Sequence, residues 1–303
     1  MNILKIAGAR LAGVKCRLPG LEVDNRETCR LLFGDKAESI LKTSGILKRR
    51  VAAKGETSLG LCCQAAEDLF AETGISKAEI GAVVAVSFTH ELMMPGNAQL
   101  AQARLGLKND VAAIDLTHAC AGYPYGLYVA ASLVRDLDKP VLLLDGDVQT
   151  PCAAMNTAAI LGDAGSATLL VPDQNAGVWE FAFYTDGSRA SELKLENGKL
   201  AMDGFGVFRF VAIDVVNLIA EFMLGRKADL LVPHQANVYM ARELARKLGM
   251  EDKLVVTGDK YGNLASASVA VGLAEARISG FGGKALLAGF GGGLSAAVAL
   301  IDV

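Results

Sequence analysis

Short runs of wholly apolar residues alternate with longer stretches at helical spacing along the whole chain. Residues 3–13 predict a strand and a glycine turn, and residues 24–44 predict polar helical segments. Residues 45–50 form a basic corner that reads as a solvated face. A helix over 59–73 closes at Gly74, and 80–87 is a buried strand. Residues 90–96 read as a loop, with Asn97 as N-cap of a helix that ends at Gly106. Residues 111–114 predict a short buried strand, 123–134 a buried helix, and 141–145 and 164–172 two more strands.

The second half has the same rhythm. It predicts a strand at 178–185, a helix at 205–224, a strand at 230–233 and a helix at 237–248 stopped by Gly249. A strand at 254–257, a small-residue helix at 265–279, and closing strands at 284–289 and 294–303 follow. Strand and helix in alternation imply parallel sheets covered by helices. No residue-level repeat is visible, yet both halves share one order of elements. The expectation is an α/β chain folded as an αβαβα sandwich of two similar halves, 1–173 and 174–303.

Composition narrows the function classes. The chain has 303 residues, enough for a sizeable core, and is 52% hydrophobic. A net charge of −3 does not point to a general nucleic-acid role. None of the six cysteines has zinc-ligand CxxC spacing, and adjacent Cys62 and Cys63 on a helix argue against a disulfide framework. The opening residues carry no signal-peptide pattern, and no apolar run is long enough to span a bilayer. A cytoplasmic protein with no metal site and no membrane partner is expected.

Four stretches carry candidate chemistry. The first is Asp115-Leu116-Thr117-His118-Ala119-Cys120-Ala121-Gly122-Tyr123. It places Cys120 between a strand and a helix N-terminus, where unpaired N–H groups and the helix dipole favour an anion. A thiol there is expected to have a lowered pKa and to serve as a nucleophile for acyl transfer. A buried structural cysteine is the competing reading. The second and third are Pro233-His234-Gln235-Ala236-Asn237 and Tyr261-Gly262-Asn263-Leu264-Ala265-Ser266. Ligands gather at the carboxyl ends of strands in such sheets. A histidine there can donate a hydrogen bond or move a proton, and an asparagine amide is a neutral donor toward an oxyanion. A satisfied core histidine and a capping asparagine are the plainer alternatives. The fourth is Gly289-Phe290-Gly291-Gly292-Gly293, a turn that can bring backbone N–H groups close to a reacting atom.

Taken together and in this order, with Leu161-Gly162-Asp163-Ala164-Gly165, these motifs resemble the thiolase superfamily. More narrowly they resemble β-ketoacyl-acyl carrier protein synthase III. The resemblance covers nearly the whole chain, and Pro-His-Gln-Ala-Asn is its most specific part. It implies a thiolase-like five-layered fold, a homodimer and a ping-pong decarboxylative Claisen condensation. Cys120 would take an acyl group from a thioester. His234 and Asn263 would hydrogen-bond the carbonyl of a malonyl extender and stabilise its enolate. Backbone N–H groups of Cys120, Gly291 and Gly292 would form the oxyanion hole. Met94 would reach into the partner's acyl tunnel. Arg209, Arg246 and Lys247 would dock acyl carrier protein, whose acidic surface they would steer. Ordinary solvated helix charges would look the same. No cofactor is implied beyond acyl thioesters of coenzyme A or the carrier.

There are departures from the pattern. The family's tryptophan and arginine that grip coenzyme A correspond to Ser39 and Thr43, another arginine to Met155, and the one tryptophan is Trp179. A carrier-bound or unusual acyl donor becomes plausible. His118 beside the nucleophile and Glu91, as a carboxylate near the site, are noted. The alternative function is acyl transfer to an alcohol or amine in secondary metabolism. Asn263 argues for condensation instead, and the lack of a cysteine after Cys152 argues against a thiolase proper.

Overall fold

Alternation along the inner strands decides the layering. The computed structural model describes residues 1–155 and 157–303. In chain order it begins with β1 (Leu4–Ile6), β2 (Ala9–Arg17), β3 (Leu21–Asp24), α1 (Asn25–Phe33), α2 (Ala37–Ser44) and β4 (Lys48–Val51). Next come α3 (Ser58–Thr73), β5 (Ala82–Val86), α4 (Asn97–Leu105), β6 (Ala112–Leu116), α5 (Gly122–Leu137), β7 (Val141–Asp147) and β8 (Ala164–Pro172). The second half contains β9 (Trp179–Thr185), β10 (Leu193–Glu196), β11 (Lys199–Met202), α6 (Gly204–Phe210), α7 (Val216–Phe222) and β12 (Leu230–Pro233). It closes with α8 (Val238–Leu248), α9 (Gly258–Tyr261), α10 (Ala267–Ile278), β13 (Lys284–Gly291) and β14 (Ser295–Asp302).

On β5, Val84 and Val86 face inward, where they pack with Leu127 of α5 and with Val269 and Leu273 of α10. The same central cluster takes in Val232, Leu287 and Ala299 of the other sheet. Val83 and Ala85 face outward against α3 and α4. The outer face of the second sheet packs on Phe210, Phe222 and Leu244 from α6, α7 and α8. The result is five layers, helix–sheet–helix–sheet–helix, with α5 and α10 in the middle. Strand faces alternate with period two, so each sheet has an apolar face for each helical layer.

The first sheet has the order β2-β8-β7-β5-β6 and the second β1-β9-β14-β13-β12. Counted within each half, β9, β12, β13 and β14 repeat the places of β2, β5, β7 and β8. The place of β6 is held only by a single parallel bridge from Leu254 to Leu231. Residues 254–257 are therefore not the predicted strand; apolar composition alone did not secure a ladder there. Nor are the sheets parallel throughout. β5 pairs in parallel with β6 and β7, and β12 with β13, but β8 and β14 run antiparallel to their neighbours. β1 pairs with β9, so residues 4–6 belong to the second sheet.

Three local readings are also corrected. Asn97 is the first residue of α4, and Gly96 is the cap. The helix expected at 205–224 is α6 and α7 joined through a π-turn at Val211–Val215. The basic corner is not uniformly solvated. Arg49 is buried and donates to Asn25 Oδ1 at 2.9 Å, Thr28 Oγ1 at 3.2 Å and the Leu161 carbonyl at 3.0 Å. A buried guanidinium persists because its donors are satisfied. Lys48 and Arg50 do face out and pair with Glu22. Among the described residues, no helix is long and apolar enough to cross a membrane.

Candidate active site

The nucleophile candidate sits in a tight turn between β6 and α5. Gly122 donates to the Ala119 carbonyl at 2.8 Å, which closes the turn. Cys120 then lies against β13. A Cβ added to Gly291 would come 2.8 Å from Cys120 Cβ and 3.2 Å from its Sγ, so only glycine lets the strand approach the sulfur this closely. Cys120, Asn263, Gly292 and Gly293 line one cavity of about 360 Å³. Its walls are mainly apolar, with Phe88, Leu161, Leu195 and Met202 among them.

His234 follows β12 and is only 2% exposed. Its N–H donates to the Ala288 carbonyl at 2.7 Å, and its ring meets Phe290 edge-on at 5.3 Å. His234 and Cys120 thus flank the same segment of β13. Asn263 is stitched to the first half: its N–H donates to Ile160, and its carbonyl accepts from Gly162 at 2.8 Å and from Gln149 Nε2 at 2.7 Å.

One residue ties the last two groups together. Ala265 has a left-handed backbone, φ +51°. Its N–H donates to Asn263 Oδ1 at 3.0 Å, and its carbonyl accepts from His234 Nδ1 at 2.9 Å. Committing Oδ1 to an N–H sets the orientation of the Asn263 amide and leaves its N–H₂ group for a ligand. A carbonyl only accepts, so Nδ1 of His234 carries the proton. Burial pushes the His234 pKa down to about 4, against which the Ala265 carbonyl raises it. The resting ring is therefore neutral, with an unprotonated Nε2. Asn263 is a donor at all times, whereas His234 can donate through Nε2 only after it takes a proton. An anionic ligand nearby would favour that step.

The expected low pKa of Cys120 is overturned. Cavity and sulfur are in contact, yet protein surrounds the thiol on most sides. Burial pushes it up to about 12, and Asp147 and Asp145 add to the rise, while its own backbone N–H works against it. The helix N-terminus acts only within its own turn, whereas the burial and the β7 carboxylates come from residues distant in the chain. We therefore expect the rate of Cys120 alkylation by iodoacetamide to climb by about tenfold per pH unit from pH 7 to 10. A plateau just above neutrality would mean a thiolate-stabilising site.

The other candidates fall in separate places. His118 lines the cavity and stacks on Tyr125 with ring centroids 4.2 Å apart. Glu91 spends both oxygens on Arg104, at 2.7 and 2.5 Å, and also accepts from Thr57, so it serves as an ion-pair partner there. Met93 and Met94 are 103% and 87% exposed, in the loop whose Gly96 lies against Asp115 of the edge strand β6. Arg209 lies exposed on α6. Lys247 of α8 reaches the Ala212 carbonyl at 2.8 Å, which brings it beside the helix that carries Arg209, and Arg246 pairs with Glu243. Ser39 and Thr43 lie on α2, where Thr43 Oγ1 donates back to the Ser39 carbonyl. Met155 is exposed and Trp179 is in the core.

Two contributors were not read from the sequence. Gln149 holds the Asn263 carbonyl and donates its N–H to Asp163, which belongs to the Leu161–Gly165 motif and also accepts from Ala52 and Thr150. The β10–β11 hairpin supplies Leu193, Leu195, Leu200 and Met202 to the cavity, all from one face. Its signal was available: Asn197-Gly198, both at positive φ, between alternating apolar residues.

Comparison with known proteins agrees with this arrangement. The model of the 3-oxoacyl-[acyl-carrier-protein] synthase III family matches residues 114–187, and that of its C-terminal region matches 225–303. The chain is 35% identical over 286 residues to β-ketoacyl-[acyl-carrier-protein] synthase III of Serratia proteamaculans, covering 87% of this chain and 90% of that protein. It is 33% identical to the Xylella fastidiosa enzyme of the same name, covering 97% and 98%. The crystal structure of 3-oxoacyl-(acyl-carrier protein) synthase from Burkholderia xenovorans superposes with a TM-score of 0.95 at 29% identity, over 100% of this chain and 96% of that one. A priming β-ketosynthase from the R1128 polyketide pathway gives 0.90 at 28% identity, over 100% and 98%. With its two sheets in matching order and Cys120, His234 and Asn263 gathered around β13 and Ala265, the chain belongs to the β-ketoacyl-acyl carrier protein synthase III family.

Proposed function

We propose that the protein is a condensing acyltransferase that loads an acyl group on Cys120 and joins it to a malonyl-carrier thioester with loss of CO₂. The observation that carries this reading is the Ala265 junction, which orients Asn263 at a cavity shared with Cys120 and bonds the buried His234 beside it. In the first step sulfur attacks the thioester carbonyl, a C–S bond forms, and the departing thiolate leaves with the thiol proton. The N–H groups of Cys120, Gly291 and Gly292 serve the oxyanion. In the second step the malonyl C–CO₂ bond breaks and its electron pair becomes an enolate. Asn263 Nδ2 and protonated His234 hold the enolate oxygen. The enolate carbon attacks the acyl carbonyl, and the Cys120 thiolate is released. Asn263 speaks against transfer to an alcohol or amine, which produces no enolate. A stoichiometric assay tests the choice: condensation yields one CO₂ per β-ketoacyl product, while simple acyl transfer yields none.

The substrates are acyl and malonyl thioesters, used without a further cofactor. Arg209, Arg246 and Lys247 supply charge for an acidic carrier protein. Arg209→Glu with Lys247→Glu should raise KM for the carrier-bound malonyl substrate by about tenfold at low salt, with kcat kept and the effect shrinking as salt screens it. Steady-state kinetics with carrier and coenzyme A forms of the same substrate would show it. Met94 and the open edge of β6 support a homodimer, since an unpaired edge strand invites pairing with a second copy. The halves 1–173 and 174–303 act as the nucleophile and enolate sides of one site, in a cytoplasmic setting.

A further inference from the structure

β7 carries a second carboxyl group that the reaction above does not use. Asp145 is fully buried, and Ser266 Oγ donates to its Oδ1. Its other oxygen, Oδ2, is buried with no hydrogen-bond partner among the described residues. Around it stand Cys16, Cys62, Cys120, Tyr123 and Asp147, and no cation is among them. Burial holds the Asp145 carboxyl well above the usual carboxylate range, with Asp147 adding to the rise against the Ser266 hydroxyl. A buried carboxyl without a counter-ion survives by staying protonated.

The place of Ser266 gives this bond a consequence. Ser266 is fully buried and directly follows Ala265, the residue that orients both Asn263 and His234. It also touches the nucleophile turn: a Cβ on Gly122 would lie 3.5 Å from Ser266 Cβ. The left-handed Ala265, costly for a residue with a side chain, is held within the turn by the Asn263 Oδ1 bond and by the Ser268 N–H on its carbonyl at 3.3 Å. A fixed partner on β7 would anchor that turn as a whole against the first sheet.

We propose that the Asp145–Ser266 hydrogen bond is a clamp from the first sheet that positions the Asn263–Ser266 turn, and so aims the Asn263 and His234 side chains. The inference rests on the condensing function above, and it makes Asp145 a positioning residue for the enolate step alone. Ser266→Ala removes the hydroxyl, and Asp145→Ala the acceptor. Asp145→Asn keeps an acceptor without a charge.

The test pairs kinetics with a readout that needs no substrate. Rates of Cys120 acylation and of malonyl decarboxylation are measured separately. In parallel, the His234 Nδ1 resonance is followed in ¹⁵N-histidine-labelled protein, in which there are 3 histidines to assign. For Ser266→Ala and Asp145→Ala the decarboxylation rate should fall by about 10- to 100-fold, with acylation within about twofold. The His234 resonance should shift as its bond to Ala265 loosens. Asp145→Asn should recover most of the loss seen in Asp145→Ala. An equal fall in both half-reactions, an unmoved His234 resonance, or Asp145→Asn as damaging as Asp145→Ala would each overturn the clamp. Ser266→Ala changes a single hydroxyl and keeps the test open if Asp145→Ala does not fold. The resonance decides the clamp even if wild-type protein proves not to condense malonyl thioesters, a result that would count against the function instead.

Discussion

Cys120→Ala is expected to abolish acyl transfer, with turnover down on the order of 10⁴-fold or more, because no other group can hold the acyl chain between the two half-reactions. Among the described residues, Cys120 is the one cysteine that meets both the cavity and Gly291 of β13. Cys152, further along the chain, does not border that cavity among the described residues. The substitution removes one sulfur from a cavity wall, so the fold should be retained, and circular dichroism would confirm that the loss is chemical. The variant should still release CO₂ slowly from a malonyl thioester, since Asn263 and His234 remain. Full acyl transfer by Cys120→Ala would place the nucleophile elsewhere.

His234→Ala and Asn263→Ala are expected to separate the half-reactions. Each should slow malonyl decarboxylation by about 10²- to 10³-fold, the usual loss when one oxyanion donor is removed. Acylation of Cys120 should be spared, because the N–H groups serving that oxyanion are on the backbone. Rapid-quench measurement of acyl-enzyme formation beside CO₂ release checks both at once. The two variants should differ in pH response. Asn263 donates at every pH. His234 stays neutral in the free enzyme down to about pH 4, so its donation depends on a proton that arrives with the anionic substrate. No loss of activity from free-enzyme His234 protonation is therefore expected between pH 8 and pH 5. An inflection near 6.5 that vanishes in His234→Ala would contradict a buried neutral imidazole.

The parts of the molecule that were legible in the sequence are those written in local patterns. Strand β5 appears as a continuous apolar run, and helix ends at Gly74, Gly106 and Gly249 all carry left-handed glycines. Cys120, His234 and Asn263 were legible because each stands just past a strand in a distinctive motif. What depends on distant partners was not. Arg49 reads as a surface charge until Asn25 and Leu161 fold around it. The pKa of Cys120 follows a helix terminus in the sequence, but burial by the surrounding protein, with Asp147 and Asp145 of β7 adding to it, prevails in the fold. Ala265 looks like any small residue, and only the three-dimensional turn reveals it as the junction of the site. The Asn197-Gly198 hairpin is different: its signal is local and plain, and its role in walling the cavity is what needed the fold.

The central claim is that Cys120 carries the acyl group. Intact-protein mass spectrometry tests it, using a panel of acyl-coenzyme A and acyl-carrier thioesters followed by peptide mapping of any adduct. A mass gain equal to the acyl group, located on Cys120 and discharged by a malonyl-carrier thioester, is the predicted result. Adducts from carrier-bound donors alone would support carrier docking through Arg209 and Lys247, whereas adducts from acetyl-coenzyme A would show that Ser39 and Thr43 do not impair use of coenzyme A. Folded protein with no adduct from any donor, or an adduct on a residue other than Cys120, would contradict the account.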